Sequence, residues 1–158
     1  MGWNPACGEG SDTVKTEILL ASQMKPLIRI LIADDHPRVR HQLHVRLGRE
    51  PGFVVASEAN SSIGAIDCAL ALRPDIIVID PIMQDGYGLQ AIQRLVAELP
   101  GTAVVVLTAF TDTAMQMALR EMGVARILTK DLDVPQLIAV LKSVAAKEGT
   151  LPGVRQAV

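Results

Sequence analysis

Short apolar runs rich in β-branched residues recur along this chain, and they constrain its fold more than any other feature. The clearest are residues 28–33, 76–79 and 103–107. Runs of this length and composition are typical of strands that are buried on both faces of a sheet. Segments with apolar residues at helical spacing separate these runs, as Val39 and Leu43 illustrate. The alternation predicts an α/β fold, with a parallel sheet covered by helices on both faces.

The full pattern predicts five strands, each followed by a helix. The strands are predicted at Ile28–Ala33, Phe53–Ala56, 75–79, Ala103–Leu107 and Arg126–Leu128. The helices are predicted from Pro37 past Leu47, from Ser61 or Ser62 to Leu72, from Gly88 to Leu99, from about Asp112 to Met122 and from Asp133 past Val144. Right-handed crossovers would bring the C-terminal ends of all strands to one edge of the sheet, where folds of this kind bind ligands.

Polar side chains suited to phosphoryl chemistry follow four of these strands. They are Asp34 and Asp35 after the first, Asp80 after the third, Thr108 after the fourth and Lys130 after the fifth. Two carboxylates about 4 Å apart repel by roughly 4 kcal/mol at an effective dielectric constant near 20. A divalent cation would offset this repulsion, and an all-oxygen ligand set favours Mg²⁺ over Zn²⁺.

Asp80 is then a candidate nucleophile toward phosphorus, with Thr108 and Lys130 placed to hold phosphoryl oxygens. Each residue alone has an ordinary explanation, since an acid after a strand usually caps a helix or lies in a solvated loop. The occurrence of the whole set at strand ends is what indicates a site.

The chain resembles the receiver domains of two-component response regulators, the CheY-like superfamily, over roughly residues 27–147. The segments "ILIADDHPRVR" and "LTKDLDVPQLIAVLKSV" are similar to the NarL/FixJ (LuxR-type) branch. The resemblance implies a flavodoxin-like, doubly wound sheet of five parallel strands in the order 2-1-3-4-5. It also implies roles for individual residues: Asp80 as phosphoacceptor, Asp34 and Asp35 as the acidic pair that binds Mg²⁺ together with Asp80, Thr108 as the switch hydroxyl and Lys130 as the family's invariant lysine.

The same resemblance implies a signalling domain rather than an enzyme, beyond its own phosphorylation and dephosphorylation. A sensor histidine kinase would supply the phosphoryl group, and the modified surface would act on an effector domain or a partner protein. The resemblance leaves open whether the domain forms a homodimer. Met83 and Gly88, three and eight residues after Asp80, also fit the family pattern.

Four positions depart from that pattern. Gln84 stands where a proline is usual, and Pro81 removes a backbone N–H next to the acceptor. Arg126 and Ile127 replace a common glycine and a common aromatic residue. These changes predict weaker retention of the phosphoryl group and a smaller conformational switch. Phe110 is expected to pack in the core rather than to replace the missing ring.

Three other functions are alternatives to this one. A pseudo-receiver, an interaction module with the fold but little or no phosphorylation, is the main alternative. A phosphatase of the haloacid dehalogenase type would need a second aspartate two residues after the nucleophile, where this chain has Ile82. A flavodoxin-type cofactor carrier would need a phosphate-binding loop after the first strand, where "ADDHP" is acidic.

Composition and flanking segments complete the expectations. The net charge of −2 and sequence pI near 5.9 argue against direct nucleic-acid binding by this chain. Two cysteines in no ligand spacing, no secretory signal and no long apolar run favour a cytoplasmic protein without a membrane span. Residues 1–26 are expected to be an extension with at most one short helix, in "TEILLASQM", before a receiver domain at 27–147. Residues 148–158 are expected to be a tail or the start of a linker.

Overall fold

The computed structural model describes residues 10–23, 26–110 and 112–147. Its five strands are β1 (Ile28–Ala33), β2 (Phe53–Ala59), β3 (Ile76–Ile79), β4 (Ala103–Thr108) and β5 (Arg126–Thr129). Its helices are α1 (Gly10–Gln23), α2 (Pro37–Gly48), α3 (Ser62–Leu72), α4 (Gly88–Glu98), α5 (Thr113–Met122) and α6 (Val134–Lys147). None of these helices is both long and apolar enough to cross a membrane.

The strands form one parallel sheet in the order β2-β1-β3-β4-β5, which confirms the predicted topology. Side chains alternate between its two faces, as they must in extended strands. Leu31 and Ile77 pack on one face with residues of α3, α4 and α5. Ile30 and Val78 pack on the other face with residues of α2 and α6. Because helices cover both faces, the C-terminal edge of the sheet is where polar side chains of several strands can meet.

The predicted helix starts are present and have clear local causes. Ser61 accepts a hydrogen bond from the Gly64 N–H at 3.0 Å and begins α3. Asp112 accepts one from the Ala114 N–H at 3.1 Å and begins α5. Asp133 accepts one from the Gln136 N–H at 2.9 Å, at the predicted start of α6.

Strand β2 is longer than predicted, since it continues through the polar residues 57–58 to Ala59. Its pairing with β1 explains the extension. Ala33 is opposite Ala59, and an irregularity between Ile30 and Leu31 shifts the register. Long-range pairing therefore overrides the weak strand propensity of "SEA".

Helix α1 lies where at most one short helix was expected, and it begins earlier than "TEILLASQM". Several of its apolar side chains are exposed, among them Val14, Ile18 and Leu20. Residues 1–9, 24–25 and 148–158 lie outside the described residues. The domain limits at 27 and 147 therefore stay predictions.

Candidate functional site

Backbone hydrogen bonds hold the ends of all five strands in register at the C-terminal edge of the sheet. The Asp34 N–H donates to the Ala59 carbonyl at 3.1 Å, and the Asp80 N–H donates to the Ala33 carbonyl at 2.9 Å. The Lys130 N–H donates to the carbonyl of Thr108 at 2.9 Å. The residues that follow β1, β3 and β5 are thus fixed by the sheet rather than by mobile loops.

The ammonium group of Lys130 joins two of the predicted carboxylates. Its Nζ lies 2.7 Å from Asp34 Oδ2 and 2.5 Å from Asp80 Oδ2. Both aspartate side chains are almost fully buried, with 3% and 5% of their surface exposed. Burial by itself lowers the pKa of Lys130, but hydrogen bonds and charge interactions with the two carboxylates outweigh it and raise that pKa.

The other oxygen of Asp80 is held by its own loop. The N–H of Ile82 donates to Asp80 Oδ1 at 2.9 Å. Pro81, between these two residues, has no N–H to offer. Of the two backbone N–H groups next to the acceptor, the one of Ile82 is therefore present. This contact reduces the loss of phosphoryl-group retention that was predicted for Pro81.

One carboxylate oxygen of Asp35 has no hydrogen-bond partner, whereas the other has one. Its Oδ2 accepts a hydrogen bond from the Gln84 N–H at 2.8 Å. A proline at position 84 could not make this bond, so the departure from the family pattern contributes a contact here. Asp35 Oδ1 is the buried side-chain polar atom without a hydrogen-bond partner in the part of the chain that the structure describes.

A bound cation would satisfy that oxygen. Carboxylate oxygens of Asp34, Asp35 and Asp80 and a ring nitrogen of His36 all lie within 4.8 Å of one another. Acidic groups that converge in this way beside the exposed His36 suit a divalent cation that keeps some of its water ligands. The residues present therefore fit the Mg²⁺ that the sequence resemblance implies.

Sequence reasoning did not place His36 in this group. Its Nδ1 lies 3.1 Å from Asp34 Oδ1 and 3.0 Å from Asp35 Oδ1. The contact with Asp34 has hydrogen-bond geometry and the contact with Asp35 does not, although both are short. The available signal was adjacency, since "DDH" places an imidazole directly after the acidic pair.

Thr108 reaches the edge of the sheet, and only 2% of it is exposed. Its hydroxyl oxygen accepts a hydrogen bond from the N–H of Phe110 at 3.2 Å. Phe110 is 62% exposed, so the expectation that its ring packs in the core is wrong. Ile127 is half-buried against the apolar layer that contains α3, α4 and α5.

The loop after Asp80 is fastened at two further points. A Cβ atom at Gly88 would lie 2.0 Å from the carbonyl oxygen of Pro81, so only glycine permits this approach of α4 to the loop. Asp85 accepts hydrogen bonds from the Ser62 N–H at 2.6 Å and the Ser62 hydroxyl at 2.7 Å. Burial by itself raises the Asp85 pKa, yet these bonds outweigh it and lower that pKa. Asp85 was not predicted as a loop anchor.

Comparison with known proteins identifies the sequence family. Residues 30–142 match the family described as the response regulator receiver domain. The chain is 32% identical over 126 residues to the DNA-binding transcriptional activator DevR/DosR of Mycobacterium tuberculosis, covering 79% of this chain and 58% of that protein. It is 29% identical over 125 residues to the transcriptional regulatory protein LiaR of Bacillus subtilis, covering 79% and 59%. The chain thus spans less than two thirds of these relatives.

A solved structure of a response regulator shares the fold of this chain. A two-component response regulator of the LuxR family from Aurantimonas sp. SI85-9A1 superposes with a TM-score of 0.72 at 26% identity. The match covers 77% of this chain and 86% of that one. Family and branch agree with the resemblance carried by "ILIADDHPRVR" and "LTKDLDVPQLIAVLKSV".

Proposed function

Because this chain belongs to the response regulator receiver family, we propose that it accepts a phosphoryl group on Asp80 from a sensor histidine kinase in a reaction that depends on Mg²⁺. The observation that carries the proposal is the setting of Asp80. Its carboxylate is buried at the end of β3, 2.5 Å from the Lys130 ammonium, and shares a pocket with two further carboxylates. Lys130 pairs with two of these three carboxylates, and a further cation would relieve the repulsion that remains among them.

In the proposed reaction, an Asp80 carboxylate oxygen bonds to phosphorus while the bond from phosphorus to the kinase histidine nitrogen breaks. The product is an acyl phosphate on Asp80 and a free imidazole on the kinase. Asp34, Asp35 and Asp80 would hold the cation, which would supply positive charge to the carboxylates and to the phosphoryl oxygens. Lys130 is placed to move from a carboxylate to a phosphoryl oxygen, since it already contacts Asp80.

The hydroxyl of Thr108 is the proposed sensor of the phosphoryl group. It is buried at the tip of β4 and engaged with the Phe110 N–H. If the hydroxyl turns to donate to a phosphoryl oxygen, the bond that it accepts from the Phe110 N–H would break and release the segment that leads into α5. The change would then reach an effector domain or partner protein through the surface of α5 and β5.

A pseudo-receiver with little or no phosphorylation is the second candidate, and Pro81 is the observation that favours it. With no N–H at residue 81, the loop supplies only the Ile82 donor beside the acceptor. Intact-mass measurement after incubation with acetyl phosphate separates the two functions. We expect a mass gain of one phosphoryl group with Mg²⁺ and none after chelation. Absence of any gain with Mg²⁺ present would support the pseudo-receiver.

A further inference from the structure

The ring of His36 gives the acidic pocket a nitrogen donor that the sequence-based ligand set did not contain. His36 Nδ1 lies about as close to Asp35 Oδ1, at 3.0 Å, as to Asp34 Oδ1, at 3.1 Å. It therefore points toward the carboxylates rather than away into solvent. An all-oxygen pocket becomes a mixed pocket of oxygen and nitrogen.

The hydrogen bonds of the site show where a cation would bind. Both oxygens of Asp34 and both oxygens of Asp80 already accept hydrogen bonds or ion pairs. Asp35 is also buried, with 9% of its side chain exposed, but it differs from the other two in that its Oδ1 has no hydrogen-bond partner. The Gln84 N–H holds the other oxygen of Asp35 and so fixes which oxygen stays open. His36 Nδ1 lies 3.0 Å from that open oxygen.

The side chain of His36 is not needed to start α2. His36 is the residue before the first turn of α2, yet its side chain makes no capping bond to that helix. Its side chain is 63% exposed, so water can complete the coordination around a cation held there. Binding at this position would exchange a contact with Asp34 for a metal bond without disturbing the helix.

Resting on the proposed function, which makes this pocket a cation site, we propose that His36 Nδ1 is a metal ligand and that the pocket prefers a first-row transition ion such as Mn²⁺ or Co²⁺ to Mg²⁺. Mg²⁺ favours oxygen ligands and gains little from an imidazole. Transition ions bind imidazole well, and their affinity for a given nitrogen-containing site rises from Mn²⁺ to Co²⁺.

The test is calorimetric titration of the whole chain with Mg²⁺ and with Co²⁺, comparing wild type with His36→Asn. Asparagine suits the start of a helix, so α2 should be kept. We expect the variant to lose Co²⁺ affinity by on the order of tenfold and to keep its Mg²⁺ affinity nearly unchanged. His41→Asn is the matched control, since His41 is an exposed histidine of α2 outside the pocket, and it should behave as wild type.

A spectroscopic arm distinguishes direct ligation from an indirect effect. With Mn²⁺ bound, pulsed electron paramagnetic resonance should show modulation from a coordinated ¹⁴N in wild type and in His41→Asn, but not in His36→Asn. Equal loss of Co²⁺ and Mg²⁺ affinity in His36→Asn, or the absence of a ¹⁴N signal in wild type, would overturn the inference. These readouts need no phosphorylation. Failure of Asp80 to accept a phosphoryl group would therefore count against the proposed function alone.

Discussion

At the scale of single residues, the proposal depends most on Asp80. Asp80→Asn is nearly isosteric and removes a negative charge from a pocket that holds three carboxylates, so we expect the fold to be kept. It should abolish labelling by acetyl phosphate in an intact-mass assay. Asp67→Asn, at an exposed position of α3, is the control and should label as wild type. Labelling of Asp80→Asn at the wild-type level would show that another residue is the acceptor.

Gly88 permits a test of how the loop after Asp80 is held. In Gly88→Ala the new methyl group would lie 2.0 Å from the Pro81 carbonyl oxygen, so the backbone itself must shift. We expect the free energy of unfolding to fall by about 1–3 kcal/mol, as for other overpacked sites. Urea unfolding followed by circular dichroism measures this change.

Gly48→Ala is the matched control for that substitution. Gly48 lies at the end of α2, where an alanine methyl group would meet no heavy atom within 4 Å and the backbone is not left-handed. The substitution should stabilise the protein by about 0.4–1 kcal/mol, because alanine reduces the freedom of the unfolded chain. A Gly88→Ala variant as stable as Gly48→Ala would contradict the close approach to Pro81.

The positions of the candidate site residues were predictable from sequence where these residues follow the end of a strand. Asp34, Asp80 and Lys130 follow directly from the positions of β1, β3 and β5, because parallel strands end at one edge. The rotamer of His36 and the Gln84 contact with Asp35 were not predictable, since they depend on how two loops meet in space. The prediction for Phe110 was wrong for the same reason: hydrophobicity favours burial, but the loop leaves its ring in solvent.

At the scale of elements, Asp85 ties the loop after β3 to the start of α3. Its pKa is lowered, so its stabilising effect is present above the ordinary value of 3.8 and is lost as pH falls through the folded-state pKa. In Asp85→Asn, one of the two carboxylate acceptors for Ser62 disappears. We expect the free energy of unfolding to fall by about 1 kcal/mol near neutral pH.

The pH dependence of the free energy of unfolding tests that prediction. Denaturant unfolding at a series of pH values should show the difference between wild type and Asp85→Asn shrinking below pH 3.8. The exposed-site variant Asp67→Asn should show no comparable trend. A difference that stays constant down to the acid limit would mean that the charge of Asp85 does not stabilise the start of α3.

The link between the site and the α5–β5 surface is the second element-scale prediction. A ring that rotates at position 127 would couple Thr108 to this surface, and Ile127 has no ring. We expect beryllofluoride, used as a phosphoryl mimic, to change hydrogen exchange of residues 110–130 only slightly. Ile127→Tyr should enlarge the protection change, because it restores the aromatic group. A wild-type change as large as that of Ile127→Tyr would show that coupling follows another route.

Most element boundaries were predictable because caps, prolines and apolar periodicity agree with the final packing. Ser61, Asp112 and Asp133 each start a helix where the sequence places one. Strand β2 was predicted too short, since the polar residues 57–58 are held by pairing with β1 rather than by their own burial. Helix α1 was predicted too short as well, because Gly10 and Asp12 at its start have low helix propensity.

At the scale of the whole molecule, the topology followed from the alternation of strands and helices together with the handedness of crossovers. The two apolar layers on either side of the sheet use almost all of the strongly apolar segments between β1 and α6. The alternation of strands and helices could not predict the signalling output, because the output depends on the surface that a partner contacts.

The last prediction is that residues 1–158 do not bind DNA in a sequence-dependent way. DNA affinity depends on clustered Lys and Arg that neutralise phosphates, whereas this chain has a net charge of −2 and gathers acids at the C-terminal edge of its sheet. The relative named as a DNA-binding activator matches this chain over only 58% of its length. Helices α2 to α6 of the described residues pack as the cover of one sheet, which accounts for them without a helix-turn-helix unit.

Fluorescence anisotropy at about 150 mM salt, with and without beryllofluoride, measures DNA binding directly. We expect only weak binding that is independent of sequence and disappears as salt is raised, because any residual attraction would be electrostatic. Poly-anionic heparin serves as the control, since it competes for nonspecific contacts but not for base contacts. Saturable binding to one DNA sequence that survives heparin would require a base-reading surface on the receiver itself, and it would place the output of this chain on the sheet-covering helices rather than on a partner protein.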